Sequence, residues 1–181
     1  MRYLLVSDIH GSLDSALIIK QKHEQLKTDK IIVLGDILYH GPRNDLPPSY
    51  NPKKVIEVLN ELKDDIIAIK GNCDAEVDQM VLDFKIYDDF VLNYKGKKIY
   101  LTHGQKINKD NPIIDNKYSV VLYGHSHVYC VKMIEKVMYI NLGSITIPKE
   151  NTKKCYGVLE DDNIKVYDTN DNLLMVCFLG E

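Results

Sequence analysis

Five apolar segments of the sequence each end in polar side chains that can bind a metal ion. The polar residues are Asp8 and His10, Asp36, Asn72, His103, and His125 and His127. Carboxylate, amide and imidazole groups without a thiolate favour Mn²⁺, Fe, Co²⁺ or Zn²⁺ over Ca²⁺ or Mg²⁺. Ions of this kind activate water and polarise phosphoryl oxygens, so these residues predict metal-assisted hydrolysis.

The size of this ligand set predicts two ions rather than one. A closed tetrahedral zinc site needs fewer ligands than these residues offer, so we expect one carboxylate to bridge two metals. Two ions about 3.5–4 Å apart can bind a phosphoryl oxygen and hold a hydroxide for in-line attack on phosphorus. A lone His at a strand end is more often a hydrogen-bonded polar residue than a ligand. The recurrence of ligand types at every one of these strand ends favours the metal site.

The order of elements in the first part of the chain explains how side chains far apart in sequence would meet. Apolar runs at 2–7, 30–34 and 65–70 predict strands, with a helix between each pair. Ser12 is the predicted N-cap of the first helix and Asn51 that of the second. This β-α-β-α-β order predicts a parallel sheet with right-handed crossovers. Ligands of such sheets bind outside the carboxyl ends of the strands.

The second half of the chain predicts a series of strands. A hairpin is expected from 85–94 and 98–102 around a turn at Lys95-Gly96. Further strands are expected at 119–123, 128–134, 137–142, 156–160, 164–167 and 173–179. We expect this half to be mostly antiparallel. With no linker or repeat, the chain predicts one α/β domain over residues 1–181, with two sheets packed face to face and helices outside.

Composition narrows the functional class and the compartment. The 181 residues carry a net charge of −3, which gives no general reason to bind nucleic acid or an anionic membrane. No apolar stretch approaches the roughly 18 residues of a membrane span. The four Cys lie far apart without a C-x-x-C pair, and the first apolar run ends at Asp8, too early for a signal peptide. We therefore expect a cytoplasmic protein with reduced thiols.

Three longer motifs carry a resemblance to a known family. They are Gly35-Asp36-x-x-Tyr39-His40-Gly41-Pro42-Arg43-Asn44, Gly71-Asn72-Cys73-Asp74 and Asn141-x-Gly143-Ser144-x-x-Ile147-Pro148-Lys149. With the strand-end clusters, they resemble the calcineurin-like metallophosphoesterase superfamily and, within it, the small bacterial YfcE-type phosphodiesterases. The resemblance runs from Met1 to at least Tyr156. It implies an α/β fold, a four-layer α-β-β-α sandwich of two mixed sheets.

The resemblance also implies a role for each strand-end residue. Asp8, His10 and His127 would hold the first metal ion. Asn72, His103 and His125 would hold the second, and Asp36 would bridge the two. Mn²⁺ is the expected metal, with Fe, Zn²⁺, Co²⁺ and Ni²⁺ as alternatives. The implied activity is hydrolysis of a phosphodiester by attack of a metal-bound hydroxide on phosphorus.

The loop after Asp36 is expected to contact the substrate. The guanidinium group of Arg43 can form two parallel hydrogen bonds to a phosphate group, which a Lys side chain cannot do. The alternative is that Arg43 braces the loop. His40 and Asn44 lie in the same loop and either contact the phosphoryl group or, as for His40, brace a metal ligand. The substrate-binding candidates are therefore Arg43, Asn44 and Cys73, and the catalytic candidates are Asp36, His40, Arg43 and Cys73.

At the position of Cys73, many members of the superfamily carry a His, so this sequence departs from the family pattern there. A neutral thiol is a poor proton donor at neutral pH, so we expect weak turnover of substrates whose leaving group needs a proton. The alternative is that Cys73 only fills space. Asp74 is expected either to orient a metal-bound imidazole or to cap the next helix. For Gly143-Ser144, approach to the metal site by the backbone and a simple turn are both open.

The same fold leaves other functions open. The enzyme could act on phosphomonoesters or nucleotides instead of diesters. A non-catalytic interaction module is the other alternative, since a subunit of a eukaryotic endosomal sorting complex has this fold but departs from the ligand pattern. We expect a small phosphoester as substrate, and neither a membrane nor a specific nucleic acid as partner. Edge strands in the second half could pair in a homo-oligomer.

Overall fold

The computed structural model describes residues 1–113 and 117–180. In these residues, twelve strands form two sheets. The strands are β1 Tyr3–Val6, β2 Lys30–Val33, β3 Ile66–Ile69, β4 Ile86–Tyr87, β5 Phe90–Tyr94, β6 Lys97–Leu101, β7 Val120–Tyr123, β8 Tyr129–Ile134, β9 Val137–Leu142, β10 Cys155–Glu160, β11 Asn163–Asp168 and β12 Leu173–Phe178. The α-helices are α1 Leu13–Leu26, α2 Pro52–Asn60 and the short α3 Asp78–Val81.

Both sheets are mixed, as the fold class predicts. The first has the order β12-β11-β10-β1-β2-β3-β4, and the second β5-β6-β7-β9-β8. In the first sheet, β1 to β4 run parallel, whereas β10 pairs antiparallel with β1. The parallel unit confirms the predicted β-α-β-α-β order. It also places the carboxyl ends of β1, β2 and β3 at one edge of the sheet.

The second half of the chain is mostly antiparallel, as expected, but the centre of the second sheet is an exception. There β7 is parallel to both of its neighbours, β6 and β9. The apolar pattern of a strand does not reveal its direction, and the chain between Leu101 and Val120 is long enough for a parallel crossover. As a result, the carboxyl ends of β6 and β7 also lie together.

The start of the predicted hairpin is wrong. The hairpin strand begins at Phe90, and Ile86–Tyr87 pairs in parallel with β3 in the other sheet. The polar pair Asp88-Asp89 separates the two pieces, so the chain changes sheets there.

The helices begin where their caps predict. The Ser12 side chain accepts a hydrogen bond from the Ser15 N–H at 3.3 Å, and the Asn51 side chain accepts one from the Lys54 N–H at 3.2 Å. These side chains satisfy N–H groups that the first turn of a helix leaves unpaired. No helix in the described part of the chain is both long enough and apolar enough to cross a membrane.

Alternate residues of the buried strands face different layers. Leu5 and Ile32 point into the core between the two sheets, whereas Leu4 and Ile31 pack beneath α1 and α2. Burial on both faces explains why β1 and β2 are continuous apolar runs. The outer face of the second sheet is covered by partly buried side chains that include Ile107, Ile113 and Tyr118.

The outermost strands of the described sheets are β12 and β4 in the first and β5 and β8 in the second. On β8, the side chains of Val131 and Met133 are exposed. Pairing of such an edge in a homo-oligomer stays a prediction.

Candidate metal centre

The seven residues predicted as metal ligands lie at one edge of the two sheets. Each follows the carboxyl end of a strand: Asp8 and His10 follow β1, Asp36 follows β2, Asn72 follows β3, His103 follows β6, and His125 and His127 follow β7. The structure brings all of these side chains together.

Three of these side chains form a first group around one point. His127 Nε2 lies 3.2 Å from His10 Nε2 and 3.2 Å from Asp8 Oδ1, and His10 Nε2 lies 3.6 Å from Asp8 Oδ1. Metal–nitrogen bonds of about 2.1 Å place the ligand atoms of one ion roughly 3–3.4 Å apart. The spacing of the first group therefore fits a shared ion.

A second group lies beside the first and is joined to it by Asp36. His103 Nε2 is 3.1 Å from Asn72 Oδ1 and 3.3 Å from His125 Nδ1. Asp36 Oδ2 is 3.4 Å from His103 Nε2 in this group and 3.6 Å from His10 Nε2 in the first. One carboxylate oxygen thus faces both groups, which is the position of a bridging ligand.

The hydrogen bonds of three imidazoles determine which ring nitrogen can bind a metal. Nδ1 of His10 lies 2.8 Å from the Tyr39 carbonyl, Nδ1 of His103 lies 2.6 Å from the Leu34 carbonyl, and Nδ1 of His127 lies 2.6 Å from the Ile147 carbonyl. Because a carbonyl only accepts, each Nδ1 carries the proton, and Nε2 of the neutral ring presents a lone pair. The facing Nε2 atoms of His10 and His127 then repel each other unless a proton or a metal ion lies between them.

Asp8 supplies the observation that favours a metal ion. Its Oδ2 accepts hydrogen bonds from Ser7 Oγ at 2.6 Å and from the His125 N–H at 3.0 Å. Its Oδ1 is buried and has no hydrogen-bond partner. A buried carboxylate oxygen without a partner is costly in free energy, and coordination to a cation removes that cost. The residues present therefore fit a divalent metal ion.

The pKa shifts show that the carboxylates and imidazoles at this place stabilise each other's charged forms. Burial by itself would raise the pKa of the Asp8 carboxyl, but His10 and His127 outweigh burial and hold that pKa well below its usual range. Burial would lower the pKa of His103, yet its contact with Asp36 and the charges of Asp8 and Asp36 raise it to about 9. Both carboxylates stay ionised at neutral pH and favour a cation beside them.

Backbone strain accompanies these ligands. Five of them are non-glycine residues in the left-handed region, namely Asp8 at φ 58°, His10 at φ 49°, Asp36 at φ 54°, His125 at φ 67° and His127 at φ 61°. Each such residue costs of order 1 kcal/mol. On a straight strand, residues two apart point to the same face of the sheet, and that face is not always the one toward the candidate metal site. The turns at these residues let both His125 and His127 point to one centre.

Asp74 positions two of the ligand turns, and neither expectation for it is correct. Its carboxylate accepts hydrogen bonds from the backbone N–H groups of Asp36 at 2.8 Å, Ile37 at 2.7 Å and Gly71 at 2.7 Å. It therefore contacts neither an imidazole nor a helix end. At Gly71, a Cβ atom would lie 2.1 Å from Asp36 Oδ1, so only glycine lets the two turns approach this closely.

We expect Asp74→Asn to weaken metal binding by roughly 10- to 100-fold, because the loops that hold Asp36 and Asn72 lose their shared acceptor. Loss of a buried charged acceptor should also lower the free energy of unfolding by about 2–3 kcal/mol. Calorimetric titration with Mn²⁺ and urea unfolding measure the two effects. Asp78→Asn is the matched control, since Asp78 is also buried and accepts a backbone hydrogen bond, but from Ala75 rather than from the turns of Asp36 and Gly71. Equal metal affinity in both variants would contradict this role.

The segment 143–147 braces the turn of Asp8, a role that sequence reasoning missed, since it considered only approach of the backbone to the metal site and a simple turn. Ser144 Oγ donates to the Asp8 carbonyl at 3.0 Å, and Thr146 Oγ1 donates to the Ile9 carbonyl at 2.8 Å. The carbonyl of Ile147 accepts the hydrogen bond from His127 Nδ1. The Gly143-Ser144-x-x-Ile147 motif is the signal in the sequence, but two of the partners of this segment, Asp8 and Ile9, lie more than a hundred residues away.

A cavity of about 480 Å³ opens over these ligands. Asp36, Asn72, His125 and His127 line it together with the predicted substrate contacts Arg43, Asn44 and Cys73. Lys149, the last residue of the third sequence motif, also lines the cavity, although no role was predicted for it. The cavity is large enough for a small organic phosphoester.

His40 lies behind this cavity wall. Its ring packs edge-on against the rings of Tyr39 and Tyr50, and its carbonyl accepts a hydrogen bond from Asn44 Nδ2 at 2.8 Å. The residues that line the cavity do not include it. Two roles were considered for His40, contact with the phosphoryl group and bracing of a metal ligand. In the described residues, its ring contacts Tyr39 and Tyr50 and no predicted metal ligand, so neither role has direct geometric support.

Cys73 contacts the bridging carboxylate through its backbone. Its N–H donates to Asp36 Oδ1 at 2.8 Å, and its half-buried Sγ accepts a hydrogen bond from Asn72 Nδ2 at 3.3 Å. Burial, reinforced by the negative charge of Asp36, raises the pKa of the thiol to about 12. In the protein alone, Cys73 is therefore a neutral thiol at physiological pH.

Comparison with known proteins identifies the family. The family model of the calcineurin-like phosphoesterase superfamily domain matches residues 1–163. The chain belongs to the calcineurin-like phosphoesterase superfamily. This membership confirms the resemblance that the strand-end motifs carry, and the paired sheets described above are its fold.

Relatives of this calcineurin-like phosphoesterase span nearly the whole chain. The protein named phosphodiesterase YfcE from Escherichia coli strain K12 is 39% identical over 177 residues, which cover 97% of this chain and 96% of that protein. A solved structure of Yfce, described as a phosphoesterase from E. coli, matches with a TM-score of 0.95 and 35% identity, covering 99% of this chain and 100% of that one. The probable metallophosphoesterase YsnB of Bacillus subtilis strain 168 is 26% identical over 183 residues, covering 95% of this chain and 94% of that protein.

Proposed function

We propose that the protein is a dinuclear metal-dependent phosphodiesterase that hydrolyses a small phosphodiester in the cytoplasm. Asp8, His10 and His127 hold one ion, and Asn72, His103 and His125 hold the other. The observation that carries this proposal is the position of Asp36 Oδ2, which faces His10 of the first group and His103 of the second. A carboxylate oxygen shared by two ligand groups is the arrangement of a two-metal phosphoesterase site.

When bound, divalent ions at this site supply Lewis-acid stabilisation of phosphoryl oxygens and lower the pKa of water. The chain's own residues hold and orient the reactants. Backbone carbonyls fix the imidazole rings of His10 and His127, and Asp74 fixes the turns of Asp36 and Gly71. Arg43 lines the cavity and offers paired N–H donors to phosphate oxygens, which stabilises the charge that develops there.

Hydrolysis of a chromogenic diester tests the proposal against its alternatives. With Mn²⁺ bound, we expect the protein to hydrolyse bis(p-nitrophenyl) phosphate with a higher kcat/KM than p-nitrophenyl phosphate. Metal content is measured on the same sample by mass spectrometry. Faster turnover of the monoester would favour a phosphomonoesterase. No turnover with both ions bound would contradict an enzyme and favour an interaction module.

We expect Cys73→His to broaden the range of leaving groups. A thiol is a poor proton donor to a departing alkoxide, whereas an imidazolium at this place can act as a general acid, which contributes about 10²-fold or more. The variant should gain at least roughly 10-fold in kcat on diphenyl phosphate, whose phenolate is a poorer leaving group, relative to bis(p-nitrophenyl) phosphate. Cys73→Ser is the control, since it also changes the size and polarity of the side chain without adding an acid. An unchanged substrate profile in Cys73→His would indicate that Cys73 only fills space.

A further inference from the structure

Lys149 lies on the wall of the cavity above the proposed metal ligands. It follows β9, and its backbone is held on both sides. Its N–H donates to the His127 carbonyl at 3.1 Å, and its carbonyl accepts hydrogen bonds from the N–H of Thr152 at 2.9 Å and from Thr152 Oγ1 at 2.7 Å. The side chain of Lys149 therefore starts from a point that is fixed relative to a metal ligand.

Among the described residues, no carboxylate forms an ion pair with the ammonium group of Lys149. The same holds in this part of the chain for the guanidinium group of Arg43. Some other lysines of the chain do form ion pairs, for example Lys22 with Asp171 at 2.6 Å and Lys153 with Asp168 at 3.2 Å. Two cations without a carboxylate partner in the described residues, one from the loop after β2 and one from the loop after β9, thus line one cavity.

The charge of a phosphodiester does not require both cations. The scissile group carries a single negative charge, and the metal site with Arg43 already accounts for it. The cavity of about 480 Å³ extends beyond the volume of one phosphoryl group. A second anionic group of the substrate would find its partner in Lys149.

We propose that Lys149 binds a further phosphoryl group on the alcohol portion of the substrate. The protein therefore selects phosphodiesters that carry a second phosphate over those whose alcohol is uncharged. This inference rests on the proposed function, because it concerns the substrate of the same site. Lys149 determines specificity and takes no part in the bond-breaking step.

Two diesters that differ in one phosphate test the selection. They are methoxyethyl p-nitrophenyl phosphate and the analogue that carries a phosphate in place of the methoxy group, so neither has a free hydroxyl that could attack the diester. We expect the wild-type protein to show a kcat/KM about 10-fold higher for the phosphorylated diester, since a charged hydrogen bond of this kind is worth about one order of magnitude. In Lys149→Gln, this ratio should fall to about 1, mainly through KM, and Lys149→Arg should restore most of it.

Lys154→Gln is the matched control. Lys154 is also exposed, and its replacement by Gln removes the same charge from the chain. Lys154 does not line the cavity. In Lys154→Gln, the ratio of the kcat/KM values for the two diesters should equal that of the wild-type protein. A ratio near 1 in the wild-type protein would overturn the inference. So would an equal loss on both diesters in Lys149→Gln, because that pattern indicates contact with the scissile group itself.

A binding measurement separates this inference from the proposed function. Titration calorimetry of the metal-free protein compares ethanediol bisphosphate with ethanediol monophosphate. We expect the bisphosphate to bind more tightly to the wild-type protein, and this advantage to disappear in Lys149→Gln. If neither diester is hydrolysed but the advantage is present, the proposed function fails and the assignment of Lys149 stands. If both diesters are hydrolysed and the advantage is absent in the wild-type protein, only the assignment of Lys149 fails.

Discussion

Asp36→Asn is expected to lower kcat on bis(p-nitrophenyl) phosphate by about a thousandfold. Asp36 Oδ2 faces His10 Nε2 at 3.6 Å and His103 Nε2 at 3.4 Å, so the amide removes charge and donor strength from both ligand groups at once. Metal ions contribute several kcal/mol to the stabilisation of charge in the transition state, and about 4 kcal/mol corresponds to three orders of magnitude in rate. Metal content per chain should fall in the same variant, as measured by mass spectrometry.

Asp45→Asn is the control for this prediction. Asp45 is exposed in the same loop and does not line the cavity, so its variant should keep the activity and the metal content of the wild-type protein. The backbone of Asp36 is held by Asp74, and its Oδ1 accepts the Cys73 N–H, so Asn at this position should fold with little change in the turn. Full metal content together with full activity in Asp36→Asn would contradict the bridging role.

Removal of the metal ions should abolish hydrolysis and lower the melting temperature by roughly 5–10 °C. A ligand present at about 100 times its Kd stabilises a protein by about 2.7 kcal/mol, and each kcal/mol shifts the Tm of a domain of this size by about 2–4 °C. The structural reason is that Asp8 Oδ1 is buried without a partner and lies beside a second ionised carboxylate, Asp36. Calorimetric scans with a chelator and with Mn²⁺ measure the difference.

The Asp36→Asn variant provides the comparison for this effect. It has one negative charge fewer in the cluster, so Mn²⁺ should raise its Tm much less than that of the wild-type protein. Asp45→Asn should respond to the metal as the wild-type protein does. An identical Tm for the wild-type protein with chelator and with Mn²⁺ would show that the strand-end residues do not bind metal in the folded state.

Local patterns of the sequence predicted most of the fold. Apart from the first strand of the hairpin, apolar runs located the strands to within one or two residues, and the caps at Ser12 and Asn51 located the starts of two helices. Strand direction in the second sheet was not predictable in this way, because β7 buries its residues equally well beside a parallel or an antiparallel neighbour. The chain's change of sheet at Asp88-Asp89 likewise depends on what Ile86–Tyr87 meets in space.

The types of the candidate metal ligands and their places at the ends of strands were predictable from the sequence alone. Coordination chemistry is a property of the side chain, and the end of an apolar run marks the end of a buried strand. Tertiary structure alone decided that one oxygen of Asp36 faces both ligand groups. It also decided that Asp74 holds two turns, that Ser144 braces Asp8 across 136 positions of sequence, and that Lys149 reaches the cavity while His40 does not. The physical reason is that each of these contacts joins loops that are distant in sequence, and only the packing of the two sheets brings such loops within hydrogen-bond distance.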